Sequence, residues 1–127
     1  MQPLNETDLL HTFILRAPLA MPAVRVERRN IINVETKQGF RVRNGIKGQA
    51  DAFATVEGGL HVEIETKAAG GKLAEAQERW RASCLRRRIP HLVLRARKGE
   101  SPDDTVTRWI DELRATLVAH TTQAWQE

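Results

Sequence analysis

The segment from residue 48 to residue 80 limits the possible folds of this chain more than any other stretch. Its pattern predicts a β-hairpin with strands at residues 50–56 and 60–67, joined by a turn at Glu57-Gly58-Gly59. A helix is predicted to follow at residues 73–88, where apolar side chains recur at helical spacing. We therefore expect the other elements to be organised around a hairpin and its following helix.

The second strand of this hairpin carries a row of charged side chains. Because side chains alternate between the two faces of a strand, one face suits a core and carries Val62, Ile64 and Thr66. The opposite face is polar and carries His61, Glu63, Glu65 and Lys67. Asp51 is available from the partner strand. Exposed ion pairs contribute only about 0–1 kcal/mol, so stability does not require this row. Carboxylate oxygens hold Mg²⁺, and a neighbouring lysine can orient or help deprotonate a bound water, so the row predicts a divalent-metal site.

These residues also occur in a recognisable order. Asp51, followed after the turn by Glu65-Thr66-Lys67, resembles the D…(D/E)-x-K motif of the PD-(D/E)xK nucleases. The further residues Gly70-Gly71-Lys72-Leu73, Gln77 and Trp80 are similar to those of the virus-type replication-repair nuclease (VRR-NUC) group. The resemblance covers roughly residues 5 to 97. Glu63 departs from it, because a small or apolar residue is expected there; Glu63 either adds a ligand or distorts the site.

The resemblance implies metal-dependent hydrolysis of DNA phosphodiester bonds. Asp51 and Glu65 would hold Mg²⁺ or Mn²⁺, with the carbonyl of Thr66 as a further ligand. Lys67 would position the attacking hydroxide or neutralise developing charge, and Gln77 would orient Lys67 or the water. Small stand-alone relatives in this group imply a structure-selective endonuclease for branched DNA or four-way junctions. Because one metal site cuts one strand, paired incision predicts a homodimer.

Two of these residues have a second interpretation. Glu6 follows the helix cap Asn5, so it either complements the helix dipole or matches the first acidic residue of the family's site. Gln77 lies on the inward stripe of its helix, between Leu73 and Trp80. Its amide is therefore either a satisfied core group bonded to backbone or a group that reaches the strand carrying Glu65.

The remaining elements predict one domain over residues 1–127, with a core at about 5–118. A helix begins at Asn5 and is ended by Pro18 and Pro22, a strand is predicted at residues 91–96, and a capped helix at about 101–118. The tail at residues 120–127 is expected to fray. The order of helix, strands, helix, strand and helix predicts an α/β fold, the restriction-endonuclease-like α/β/α sandwich with a mixed central sheet.

Basic residues cluster just before the predicted metal site. Glu27 and Glu35 are the only acids between Arg25 and Lys47. The cluster is either a solvated face or a phosphate-binding strip, and we favour the strip because Lys and Arg contacts dominate sequence-independent affinity for nucleic acid. Tyrosine is absent, which favours reading of the duplex backbone over base stacking. The predicted nucleic-acid-binding residues are Arg25, Arg28, Arg29, Arg41, Arg43, Lys47 and, from the glycine run, Lys72.

Composition limits the expected partners and compartment of the chain. Its net charge of +4 is compatible with a polyanionic partner. Its single cysteine, Cys84, cannot form an intrachain disulfide, which favours a reducing cytoplasm. No apolar run approaches the roughly 20 residues of a membrane span, so no membrane partner is expected. Two other functions stay open: a non-catalytic basic DNA-binding accessory domain of the same fold, and a ribonuclease with the same metal chemistry.

Overall fold

The described part of the chain forms three helices and six strands. The structure, a computed structural model, describes residues 5–29, 33–35, 37–39, 41–43 and 46–126, and only the backbone of residues 33–35, 41–43 and 122–126. The elements in chain order are α1 (Glu6–Ala20), β1 (Val24–Arg28), β2 (Asn33–Glu35), β3 (Arg41–Arg43), β4 (Ala52–Val56), β5 (His61–Lys67), α2 (Glu75–Arg86), β6 (His91–Arg95) and α3 (Pro102–Gln126). The predicted order of elements is confirmed.

Four strands form a mixed sheet in the order β1-β4-β5-β6. Strand β4 is antiparallel to both β1 and β5, and β5 is parallel to β6. A parallel neighbour needs a crossover connection, and α2 supplies it between β5 and β6. Strands β2 and β3 pair separately as a two-stranded antiparallel sheet. The fold is therefore mixed α/β, as the sequence predicts.

One face of the four-stranded sheet forms the hydrophobic core with α1 and α3. Val62 and Ile64 of β5 are fully buried there, as the alternation of side chains predicts. The rings of Phe13 on α1 and Trp109 on α3 meet edge to face, with centroids 6.0 Å apart and planes at 86°. Such pairs add about 0.5–1.5 kcal/mol to the gain from burial. The core thereby fixes both helices against the strand that carries the candidate site.

The opposite face of the sheet meets α2. Glu63 and Glu65 of β5 are buried on this side, and side chains of α2 donate hydrogen bonds to both. Two buried carboxylates beneath a helix are costly unless they are paired or bonded. Glu63 meets this requirement with both carboxylate oxygens and Glu65 with only one, and that difference separates a structural cluster from the candidate site.

Some boundaries differ from the sequence prediction. Helix α1 passes Pro18 and ends at Ala20, because a proline in the last turn removes little of the helical bonding. Helix α3 continues past Val118 to Gln126, in a stretch without Gly or Pro. The fraying of residues 120–127 stays a prediction. The sequence also predicts a strand through residues 31, 32 and 34, of which the first two lie outside the described residues. Within the described chain, no helix combines the length and the apolar character that crossing a membrane requires.

Candidate active site

Antiparallel pairing of β4 and β5 brings Asp51 to the end of β5. Ala52 is opposite Ile64 in this register, so Asp51, one residue earlier, reaches the neighbourhood of Thr66. Oδ2 of Asp51 accepts hydrogen bonds from the backbone N–H of Thr66 at 3.0 Å and approaches its Oγ1 at 3.0 Å. The carboxylate of Asp51 is therefore fixed to the strand that carries Glu65.

Thr66 also joins Asp51 to α1. Its Oγ1 lies 3.1 Å from Oε1 of Glu6, the first residue of that helix, which Asn5 caps. A hydroxyl group carries one proton, so Thr66 can donate to only one of the two carboxylates at a time. Because the backbone N–H of Thr66 already donates to Asp51, a hydroxyl proton directed at Glu6 gives each of the two carboxylates one donor.

Glu65 lies at the centre of the site and is 1% exposed. Its Oε1 accepts a hydrogen bond from Nε2 of Gln77 at 2.9 Å and lies 3.8 Å from Nζ of Lys67. Its Oε2 is buried and has no hydrogen-bond partner within the described part of the chain. Burial, followed by the negative charge of Asp51, raises the pKa of Glu65 to about 8 although Lys67 opposes the shift. The site is therefore short of positive charge.

The amide of Gln77 has one possible orientation. Its Oε1 accepts a hydrogen bond from the backbone N–H of Ala74 at 2.8 Å, just before α2 begins. Because a backbone N–H only donates, the oxygen must face Ala74 and the Nε2 amide must face Glu65. Both interpretations of Gln77 therefore hold together: its amide bonds backbone and also reaches the strand that carries Glu65.

Gly48 packs the loop before Asp51 directly against the start of α2. Its φ is +85°, in the left-handed region that favours glycine. A Cβ atom at this position would lie 2.1 Å from the carbonyl oxygen of Ala76 and 2.8 Å from the nitrogen of Gln77. The loop that carries Asp51 and the helix that carries Gln77 are thus held in one arrangement.

Glu63 belongs to a separate buried cluster. Its two carboxylate oxygens accept hydrogen bonds from both terminal nitrogens of Arg29, at 3.0 and 2.9 Å. Nε1 of Trp80 donates to it at 3.1 Å, and Nε2 of His61 lies 2.7 Å away. Burial alone would raise the pKa of Glu63, but the hydrogen bonds from Arg29 and His61 hold it below its ordinary value. Glu63 is satisfied by these partners, in contrast to Glu65.

The predicted basic strip divides into residues that face solvent and one that faces inward. Arg25, Arg28, Lys47 and Lys72 are exposed, and Arg25 forms an ion pair with Glu27 at 3.2 Å. The side chain of Arg29 is only 17% exposed and is held by Glu63 and by the carbonyl oxygen of Ala50. The side chains of Arg41 and Arg43 lie outside the described part of the structure.

The structure thus brings together six of the predicted catalytic and metal-binding residues, namely Glu6, Asp51, Glu65, Thr66, Lys67 and Gln77. Sequence reasoning missed the hydroxyl group of Thr66, which it assigned to the core, and the close packing of Gly48. Among the described residues, no group of three or more His, Cys, Asp and Glu side chains is arranged to hold a metal ion. No protein-family model matches the sequence, and no curated protein matches it either.

Proposed function

We propose that this chain is a metal-dependent endonuclease that hydrolyses DNA phosphodiester bonds, with Asp51, Glu65, Lys67 and Gln77 at its centre. The observation that carries the proposal is the buried, unpartnered Oε2 of Glu65, set beside a second carboxylate and a lysine. A buried carboxylate oxygen without a donor costs about 1–3 kcal/mol, and a bound cation would offset this cost.

The donor set fits Mg²⁺ or Mn²⁺. Asp51 and Glu65 offer hard carboxylate oxygens, the ligand type that these ions prefer, and the carbonyl of Thr66 is proposed as a third ligand. Burial and the negative charge of Asp51 raise the pKa of Glu65, and a bound cation would oppose both effects. When bound, such an ion polarises the scissile phosphate and lowers the pKa of a water molecule.

The side chains of the chain itself would orient the reacting groups. Gln77 holds Oε1 of Glu65, which leaves Oε2 directed away from the amide. Lys67 is 17% exposed, so its ammonium group can donate hydrogen bonds to a phosphate oxygen or to the attacking water while it neutralises developing charge. Glu6 adds a third acid through Thr66 and is proposed to restrain Asp51.

A restriction-endonuclease-like α/β/α sandwich is the architecture that we propose for this site. Its support is the packing of α1 and α3 on one sheet face and the hydrogen bonds from α2 to the other. Exposed Arg25, Arg28, Lys47 and Lys72 would contact backbone phosphates. Such contacts carry no sequence information, so selectivity would come from the shape of branched DNA.

A homodimer would supply two sites for paired incision. Leu15 and Leu19 lie one helical turn apart on α1 and are 60% and 83% exposed, which offers apolar surface for a second copy. Light scattering measures the oligomeric state independently of cleavage.

The rival function is a non-catalytic DNA-binding domain, and the observation that favours it is the lack of a three-ligand metal group among the described residues.

The deciding experiment incubates the protein with linear, nicked, flapped and four-way DNA in Mg²⁺, Mn²⁺ or EDTA. We expect cleavage only with metal, leaving 5′-phosphate and 3′-hydroxyl ends, and faster cutting of branched DNA. Asp51→Ala, Glu65→Ala and Lys67→Ala should each abolish cleavage and retain DNA binding, because most phosphate contacts lie elsewhere. Full activity of Lys67→Ala would overturn the assignment. RNA substrates of the same shape separate this function from that of a ribonuclease.

A further inference from the structure

A cavity of about 380 Å³ lies next to the candidate active site. It is bounded by the start of α1, by the residues that follow β5, and by the loop from β6 to α3. Its apolar wall is formed by Leu9, Ala68, Ala69 and Pro102. Small-ligand pockets typically measure about 300–1,000 Å³, so this cavity is large enough for one planar ring system.

The cavity shares a residue with the candidate site. Glu6 forms part of its wall, and Oε1 of Glu6 lies 3.1 Å from Oγ1 of Thr66. Ala68, also part of the wall, directly follows Lys67 in the chain. A group bound in the cavity would therefore lie next to the candidate site.

The charge around the cavity favours a polyanion. Arg97 and Lys98 lie on its rim and are exposed. Glu100, an acid of the same wall, is held by Arg108 with a shortest distance of 2.8 Å between Oε1 and the guanidinium nitrogen. The acid is thereby neutralised, and the two rim cations are left to face solvent.

We propose that this cavity holds one unpaired nucleobase of the DNA substrate, an inference that rests on the proposed nuclease function. The apolar wall would accept the faces of the base, as enzymes do that extrude a base from its stack. The amide nitrogen of Asn5, whose Oδ1 caps α1, is available to donate to the edge of the base. Arg97 and Lys98 would take the flanking phosphates. The cavity thus selects DNA with an unpaired nucleotide at a branch point.

Ala69→Phe provides the test, because Ala69 is exposed and a larger side chain there fills the cavity without entering the core. Ala82→Phe is the matched control: Ala82 is exposed on α2 and is absent from the cavity wall. Ala68→Phe serves as a second variant that fills the cavity from the neighbouring position. Each variant is first shown to unfold at the wild-type temperature.

The full chain is titrated in EDTA with forked DNA that carries one unpaired 2-aminopurine, and with the same sequence fully paired. We expect the forked DNA to bind about tenfold more tightly and its fluorescence to rise as the base leaves the stack. Ala69→Phe should remove both effects, and Ala82→Phe should retain them. Lys98→Ala should weaken the binding of both DNAs.

Equal binding of forked and paired DNA, or an unchanged preference in both Ala69→Phe and Ala68→Phe, would overturn the inference. A preference that follows a 5′-terminal phosphate rather than the unpaired base would also overturn it. Binding is measured without metal, so the outcome is independent of cleavage. If the chain binds the unpaired base but cuts no DNA, the proposed nuclease function is wrong and the base-binding cavity is supported. A chain that cuts DNA without the preference would refute the pocket alone.

Discussion

Nε2 of Gln77 donates a hydrogen bond to Oε1 of Glu65 at 2.9 Å, which links the first turn of α2 to the interior of β5. The other end of the same amide accepts a hydrogen bond from the N–H of Ala74. One side chain therefore both caps the helix and orients the buried carboxylate. Through it, the orientation of Glu65 depends on where α2 begins.

Gln77→Leu should weaken Mn²⁺ binding by about 10–100-fold, the usual effect of removing a group that orients a metal ligand. The variant leaves Lys67 as the only described partner of Oε1 of Glu65. Isothermal titration of the metal-free protein with Mn²⁺ measures the effect. Gln38→Leu, in an exposed turn, is the control. Equal affinities for the two variants would contradict this role of Gln77.

Arg29→Ala should destabilise the fold by about 3–5 kcal/mol, because it leaves Glu63 buried without its main partner. Arg28→Ala, at the exposed neighbouring position, should change stability by about 0.5 kcal/mol or less. Urea unfolding compares the two. In the double variant Arg29→Met with Glu63→Leu, part of the loss should be recovered because no charge stays buried. Equal losses of stability in Arg28→Ala and Arg29→Ala would exclude a structural role for the ion pair between Arg29 and Glu63.

Arg28→Ala should weaken DNA binding rather than destabilise the fold. Each lost phosphate contact lowers the slope of log affinity against log salt by about 0.9 for duplex DNA. Titration of duplex DNA at several salt concentrations measures this slope, and the affinity loss should be similar for unrelated sequences. An unchanged slope would assign Arg28 to the ordinary solvated surface.

Glu65 should make the metal-free protein less stable as the pH rises. Its carboxyl has a pKa of about 8 in the folded chain, against an ordinary value of 4.5. Between these values the folded chain keeps a proton that the unfolded chain releases. The contribution of Glu65 to the free energy of unfolding is full below pH 4.5. It falls by at most about 1.4 kcal/mol per pH unit until pH 8. Urea unfolding in EDTA measures it, and Glu65→Gln should flatten the profile. A profile that Glu65→Gln leaves unchanged would show that Glu65 ionises normally.

Gly48→Ala should lower stability by more than about 1 kcal/mol and reduce cleavage. The added Cβ would lie 2.1 Å from the carbonyl oxygen of Ala76, so α2 must shift and carry Gln77 away from Glu65. Gly59→Ala is the matched control, since Gly59 has φ +102° but no atom within 4 Å of the added Cβ. That variant shares the backbone strain without the clash and should keep its cleavage activity. Full activity of Gly48→Ala would show that the two segments move independently.

The fold was largely predictable because it follows from local patterns. Alternation in β5 and helical spacing in α1 and α3 identify the buried faces, and these faces form the core. The parallel pairing of β5 with β6 follows from the helix between them. The separate pairing of β2 and β3 was not predictable, since a hydrophobic pattern indicates a strand but not its partner.

The candidate site was predictable where its residues are charged or polar side chains in a recognisable spacing. Asp51, Glu65 and Lys67 were identified from their spacing, and the inward position of Gln77 from helical periodicity. Arg29 is different: its basic neighbours indicate a phosphate contact, but it directly follows β1 and its side chain is bound to Glu63. The contact between Gly48 and the backbone of Ala76 was not predictable, because neither residue carries a chemically reactive or charged side chain.

The hydrogen bonds of the candidate site also imply an order of assembly. Gln77 and Glu65 are 12 residues apart, and Asp51 and Thr66 are 15 apart, whereas Glu6 and Thr66 are 60 apart. Short loops close at lower entropic cost than long ones, so contacts local in sequence tend to form first. During refolding the hairpin and α2 should therefore join Asp51, Glu65 and Gln77 early. Glu6, although synthesised first, would arrive last, when α1 docks on the sheet.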